Sequence, residues 1–206
     1  MARPTKQSRP AKVEAGIDRR AVLDAASRVL VAEGPSALTM RRLASEVGAS
    51  TMVLYSRFAG REQLMGELLA EGFTRFADAL GAVAVPDPWL NLRQLGRAYR
   101  AFALGNPTYF RLMWAGDAGL TSPAHVDAAS PMHHHGQRAF GALLAAMTRV
   151  LAVLDRPARE AEPLALSVWS TVHGFVSLEL SGVVGPDGDE AYERALDFIE
   201  AALRRG

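Results

Sequence analysis

Apolar residues recur at intervals of three and four along almost the whole chain, and no stretch alternates in the manner of a strand. Val22, Ala25, Ala26, Val29 and Leu30 share one face of a first helix, which Asp18 can cap and Gly34-Pro35 ends. Leu43, Val47, Leu54 and Phe58 face inward from two short helices between Thr39 and Phe58. Gly60 then opens a fourth helix with Leu64, Leu68, Leu69, Phe73 and Phe76 on its apolar side. Val85-Pro86-Asp87-Pro88 breaks the pattern as a hinge or loop. The next helix, from about Trp89 to Leu104, carries Leu92, Leu95, Tyr99 and Phe102 on one side and Arg93, Arg97 and Arg100 on others. Asn106-Pro107 starts a short aromatic helix, Gly116 to Pro131 is the least regular stretch, and Phe140, Leu143, Leu144, Met147, Leu151 and Leu154 set out a long one. The expected fold is all-α with about nine helices.

Pro163 to Gly185 is nearly long enough to span a bilayer, but Glu179 and His173 fall inside it and no cationic cluster flanks it. It reads instead as a helix buried on most sides. Ser170, Gly174, Ser177 and Ser181 form a stripe of small residues along it where another helix can approach closely. The last helix, Asp189 to Arg205, is amphipathic through Tyr192, Ala195, Leu196, Ile199 and Leu203. This stripe, with Tyr192, Leu196, Ile199 and Leu203, is the candidate surface for a two-fold homodimer, the alternative being service in the subunit's own core.

The pair of short helices is where chemistry enters. Thr39 and Ser50 are placed to cap them, Gly48 supplies the positive φ of the turn, and Ala44 is small enough for the helices to cross closely. That geometry leaves Arg41, Arg42, Thr51, Met52, Ser56 and Arg57 outside. Cations for phosphates and short donors and acceptors for base edges are what a DNA groove requires. Charge agrees: residues 1–60 hold ten Lys/Arg against five Asp/Glu, while residues 61–206 hold thirteen against seventeen. A basic head steers toward nucleic acid and makes binding salt-dependent through counterion release. Residues 1–17 have no helical or strand period and read as a disordered basic arm, with Arg3, Lys6, Arg9 and Lys12 available to a phosphate backbone. Cysteine is absent, which excludes a disulfide framework, a thiol nucleophile and a thiolate metal site. With a basic start that leads into no apolar segment, the expected location is the cytoplasm.

The run L-T-M-R-R-L-A-S-E-V-G-A-S-T-M-V-L-Y-S-R-F-A-G-R-E-Q-L, Leu38 to Leu64, resembles the DNA-binding signature of the tetracycline-repressor (TetR) family, a likeness that covers roughly residues 18 to 70. The chain departs from the family pattern at Arg57, where histidine or tyrosine often precedes the phenylalanine, and keeps a group able to meet a phosphate. Trp169 to Gly174, W-S-T-V-H-G, with A-L-G-N-P-T-Y-F-R-L-M-W at residues 103–114, resembles the ligand-binding body of the Trp-His-Gly subgroup. The resemblance implies a head at residues 18–60 and a ligand-binding, dimerising body at 61–206. It also implies a ligand-responsive transcription factor, most often a repressor, that binds a roughly palindromic operator as a dimer.

Arg41, Thr51, Met52 and Ser56 are the base-edge candidates, and Thr39, Ser50, Tyr55, Arg57 and Arg61 the phosphate candidates. A mostly apolar small molecule has a candidate pocket in Phe73, Phe76, Tyr99, Phe102, Tyr109, Phe110, Met113, Trp114, Trp169, His173 and Phe175, although aromatics at helical spacing also serve as plain core. His133, His134 and His135 cannot chelate one ion from a regular helix, since successive side chains point about 100° apart. They read as a solvated polar turn, the alternative being a loop that holds a metal with His125 nearby, and no cofactor is expected. Two other readings stay open: a DNA-binding dimer without an effector, and an all-α enzyme with a passive head. No acid/base pair, activated nucleophile, phosphate loop or nucleotide fingerprint supports the latter.

Overall fold

The computed structural model describes residues 18–114 and 131–205. Among these residues there are nine α-helices and no strand. The chain divides into two compact units, with the break between Leu64 and Met65. The irregular stretch expected from Gly116 onward and the basic arm at 1–17 lie outside the described residues.

The first unit holds α1 (Arg19–Glu33), α2 (Met40–Val47), α3 (Thr51–Arg57) and the start of α4 (Arg61–Gly81). Asp18 caps α1 by accepting from the Arg20 N–H, and the five apolar residues read from its periodicity are all buried. Leu38, Leu43, Leu54, Phe58 and Leu64 complete a small core, each fully removed from water. Burying a side chain of this size is worth roughly 1.5–3 kcal/mol.

The second unit holds the rest of α4 with α5 (Pro88–Gly105), α6 (Pro107–Trp114), α7 (Pro131–Val153), α8 (Ala161–Leu180) and α9 (Gly188–Arg205). The helix α5 is its axis and touches α6, α7, α8 and α9. Asp87 caps it by accepting from the Leu90 N–H at 2.7 Å, and Pro88 fits its first turn, where no N–H is needed. The Pro-rich break before it is a fastened loop. Arg149 on α7 donates to the carbonyls of Val85 and Pro86 and, at 3.1 Å, to the buried Asn91. His133 to His135 correct the expectation of a polar turn: they lie within α7, in the regular helix that keeps three successive residues from one ion. Their side chains lie outside the described residues. No helix among the described residues is long and apolar enough to cross a membrane.

The arginines of α5, read from the sequence only as lying off its apolar side, fasten the unit together. Arg93 reaches Glu193 and Asp197 on α9 at 2.7 Å each, and Arg97 reaches Glu193 at 2.7 Å. Arg100 reaches Glu179 on α8 at 2.6 Å and Asp189 on α9 at 2.7 Å. The helices α5 and α9 close tightly at Gly96: a Cβ there would lie 2.8 Å from Leu196, and the glycine carbonyl accepts from the Tyr192 hydroxyl at 2.5 Å.

Hydrogen bonds from Arg97 and Arg93 hold the Glu193 carboxyl down to about 2, against an ordinary 4.5. A depressed carboxylate contributes stability that is complete above its unfolded value and lost as pH falls through its folded one. The urea midpoint of the chain should therefore drop between about pH 4.5 and pH 2, and the Glu193→Gln variant should lose the part of that slope due to this group. Parallel slopes for the two proteins would remove Glu193 from the account.

Packing of α8 and α9 favours the second reading of the late apolar stripe, service in the subunit's own core. Tyr192, Leu196, Ile199 and Leu203 are 1 %, 6 %, 8 % and 5 % exposed, consumed by the subunit's own core against α5 and α8. Nor is α8 buried on most sides, since Leu166 and Leu178 stand 55 % and 51 % exposed on it. Phe198 on α9, absent from the expected set, is 70 % exposed. Of the small-residue stripe, Ser170 and Ser181 are exposed and Gly174 and Ser177 half-buried.

Candidate nucleic-acid interface and internal cavities

Two short helices and one turn build the exposed face of the first unit. The Thr39 hydroxyl accepts from the Arg42 N–H at 3.0 Å, and the Ser50 hydroxyl accepts from the Val53 N–H at 3.3 Å. Each cap satisfies one orphan donor of its helix and leaves the hydroxyl proton for another acceptor. Gly48, at φ 66° and ψ 31°, turns the chain from α2 toward α3 in the left-handed region. Leu43 and Ala44 on α2 and Leu54 on α3 are buried, and Phe58 closes the end of α3.

Burial of that one face dictates what α3 presents on the other. Thr51, Met52, Tyr55, Ser56 and Arg57 are all exposed. Met52 stands 80 % in solvent. The Ser56 hydroxyl donates to the Val53 carbonyl at 2.8 Å, so what it offers outward is an acceptor. Arg41 is exposed at the start of α2.

Two other arginines are engaged inside the unit. All three guanidinium nitrogens of Arg42 are occupied, two by Glu33 and one by Glu46, at 2.7 to 3.0 Å for the shortest contacts. These carboxylates push its pKa further up, with the bond to Glu33 the largest cause. Arg61, expected to meet a phosphate, instead donates to the Leu38 carbonyl at 3.0 Å and the Pro35 carbonyl at 2.9 Å. It ties the start of α4 to the turn before α2. Arg19 adds a third tie, donating to the Arg57 carbonyl at 2.8 Å while its guanidinium lies 4.6 Å over the Phe58 ring.

Among the described residues of the second unit, two small cavities lie beside the aromatic cluster. One, of about 50 Å³, lies among Trp89, Leu92, Arg93, Tyr99, Leu143 and Trp169. The other, of about 30 Å³, lies among Phe73, Phe76, Tyr99, Trp114, Phe140 and Trp169. Leu80, Tyr99, Leu143 and Trp169 line both, so the cavities sit back to back. Of the expected pocket residues, Phe73, Phe76, Tyr99, Trp114 and Trp169 line this space. The others pack as core around it. Phe102 meets Phe76 with ring centroids 5.1 Å apart, Phe175 meets Tyr192 at 5.2 Å, Phe110 meets His173 at 5.5 Å, and Tyr109 and Met113 close on Gly72. Trp89, Phe140 and Leu143 were not among the expected residues, and neither Phe140 nor Leu143 is distinguishable in sequence from any other core position.

His173 finds its partner within the protein, where its Nδ1 lies 2.8 Å from the Tyr99 hydroxyl. Burial lowers the histidine's pKa and raises the tyrosine's, the latter opposed in part by the Trp169 indole N–H. Both rings are therefore neutral near pH 7. Where the Tyr99 hydroxyl donates to Nδ1, the imidazole proton sits on Nε2.

Residues 22–68 match the model of bacterial regulatory proteins of the tetR family. Residues 92–199, more than half of the chain, match the model of the tetracyclin repressor-like C-terminal domain. The chain belongs to the TetR family.

It is thus a DNA-binding transcriptional regulator. An uncharacterised HTH-type transcriptional regulator of Mycobacterium tuberculosis is 27% identical over 96% of this TetR chain and 85% of its own length. A protein of unknown function from Rhodococcus sp. RHA1 is 27% identical, with a TM-score of 0.79 over 94% of this chain and 98% of that one. Two more distant structures share the fold. BioQ with its double-stranded DNA operator is 20% identical over 93% of this chain and 100% of that one, with a TM-score of 0.58. A TetR variant from Acinetobacter baumannii AYE in complex with minocycline is 19% identical over 92% and 98%, with a TM-score of 0.61. Against the TetR background, the internal role of Arg42 was legible in part, because Glu46 stands four residues on. That of Arg61 had no sequence signal, its partners being backbone carbonyls.

Proposed function

We propose that this regulator binds a near-palindromic operator as a homodimer and releases it when an uncharged small molecule occupies the body. The observation that carries the reading is the outward face of α3, where Thr51, Met52, Tyr55, Ser56 and Arg57 are exposed together while Leu54 and Phe58 anchor the opposite face. Arg41, Thr51, Met52 and Ser56 would meet base edges. Thr39, Ser50, Tyr55 and Arg57 would meet phosphates, with Arg61 left as a brace. The head is residues 18–60 and the body 61–206. The protein acts in the cytoplasm as a regulator rather than an enzyme, most simply a repressor, and its body falls in the Trp-His-Gly subgroup through Trp169, His173 and Gly174. BioQ on its operator and the minocycline complex of the TetR variant support DNA and effector binding by this fold.

For the dimer, the exposed apolar groups of α8 and α9 replace the buried ones. Leu166, Leu178 and Phe198, with Ser170 among them, offer a surface that two-fold pairing would cover, and such pairing requires the operator to repeat.

Selection from random duplexes tests the reading. One near-palindromic motif should be enriched, and Arg41→Ala should weaken binding to it roughly tenfold or more, as loss of a base contact worth about 1–3 kcal/mol does. Retention that falls with salt but enriches no motif would sink it. One observation favours a regulator without an effector: the two interior cavities, at about 50 and 30 Å³, are far below the roughly 300 Å³ of an ordinary ligand pocket, and the roomier hollow of about 260 Å³ among Arg156, Ser167, Thr171, Phe198 and Leu203 is an open groove between α8 and α9. On the proposed reading an effector must open the space it fills.

A further inference from the structure

The two cavities of the second unit differ in what their walls still have to offer. In the larger one the charged lining groups are Arg93 and Glu200, which lie 3.5 Å apart, and Arg93 is further committed to Glu193 and Asp197. A charged ligand would find no uncommitted counter-ion there, and stripping an ion of water without one is prohibitive. Tyr99 lines both cavities, and its hydroxyl is engaged by the His173 Nδ1 at 2.8 Å.

The smaller cavity is different. Trp114 lines it, and the Trp114 Nε1 is, among the described residues, the one buried side-chain nitrogen or oxygen without a hydrogen-bond partner. A buried indole N–H normally has a partner, and an unmet donor costs its full desolvation. The groups packed around this indole offer no acceptor in their rings: Phe73, Phe110, Trp169 and His173 meet it with centroids 5.9, 6.3, 5.5 and 5.0 Å away. The His173 Nδ1 already faces Tyr99, and neither imidazole nitrogen is a partner of the Trp114 Nε1.

From these observations we infer that the effector is an elongated, uncharged, mostly apolar molecule whose one essential polar group is a hydrogen-bond acceptor, a carbonyl or ether oxygen, taken by the Trp114 Nε1–H. Its apolar length runs from the smaller cavity into the larger one, past Leu80 and Leu143. These side chains line both cavities and have rotamers to yield, whereas Tyr99 is held by its hydrogen bond to His173. The inference rests on the reading that the body holds an effector at all, and it deepens that reading by giving the molecule's chemistry.

Four probes of equal length separate the possibilities: 2-nonanone, its acceptor-free isostere 2-methyl-1-nonene, nonanoate and nonylammonium. The chain has three tryptophans, so the indole N–H resonances of the ¹⁵N-labelled protein are few enough to assign with single Trp→Phe variants. With 2-nonanone the Trp114 indole proton should move downfield, and with the alkene it should not. In Trp114→Phe the affinity for the ketone should fall roughly tenfold while that for the alkene changes less than about twofold, the difference being the hydrogen bond. Both charged probes should bind at least about tenfold more weakly than the ketone. Equal losses of ketone and alkene in Trp114→Phe, or an unshifted Trp114 resonance in the saturated wild-type protein, would reduce Trp114 to a packing role and overturn the inference while leaving an effector cavity. Tightest binding by nonanoate or nonylammonium would overturn the uncharged class in the same way. If none of the four perturbs Trp114 or Trp169, both the inference and the effector reading fall.

Discussion

Replacing Phe58 by alanine should abolish operator binding and remove about 3–5 kcal/mol from the first unit, the usual loss for a buried phenylalanine. Phe58 is fully buried at the end of α3, and its ring is the platform over which the Arg19 guanidinium lies. Without it, α3 loses its terminal anchor and α1 loses its tie to the Arg57 carbonyl together. Whole domains are stable by only about 5–15 kcal/mol, and a unit of this size has little surplus. Limited proteolysis is the direct check, with Tyr55→Phe as a folded control on the exposed face of the same helix. New cleavages should fall before Leu64 and spare the helices that follow Met65. Unchanged protection together with unchanged operator affinity would show that α3 is held by something other than this ring.

The comparable prediction in the second unit concerns Glu179→Ala. The side chains of Arg100 and Glu179 are 15 % and 13 % exposed, and two hydrogen bonds join them at 2.6 and 2.8 Å. Removing the carboxylate leaves the guanidinium with Asp189, whose side chain is 94 % exposed and correspondingly weak as a partner. Breaking a buried pair from one side costs about 3–5 kcal/mol, or roughly 10 °C in the melting temperature of a protein this long. Replacing both partners should recover much of the loss, so Arg100→Met with Glu179→Leu should melt well above Glu179→Ala alone. A double variant no better than the single one would mean that the pair acts through geometry rather than through an uncompensated charge.

What the sequence discloses follows the range of each interaction. The Thr39 and Ser50 caps and the Gly48 turn depend on neighbours within four residues, and the structure has them as the spacing implies. The stripe of Tyr192, Leu196, Ile199 and Leu203 was equally plain, but its purpose was not. An apolar stripe is the same object whether it faces its own core or another subunit, and only the course of α5 through the unit, with Gly96 against Leu196, decides between them. The cavities were less legible still. They are spaces left between helices, bounded by residues as far apart as Leu80, Leu143 and Trp169, and no periodicity along one helix describes them. The unmet donor of Trp114 is a property of an environment rather than of a residue.

The engagement of Arg42 by Glu33 and Glu46, and of Arg61 by two carbonyls, has an evolutionary consequence. Arginines in this head belong to two populations that answer to different selection. On the proposed reading Arg41, which would meet a base edge, can change with the target sequence, whereas Arg57, which would meet a phosphate, need not. Arg42 is bound to the fate of positions 33 and 46, and across diverging lineages the three should be exchanged together or not at all. A comparison of many such heads would then separate the residues that track the operator from those that track the helices beneath it, without a single complex being solved.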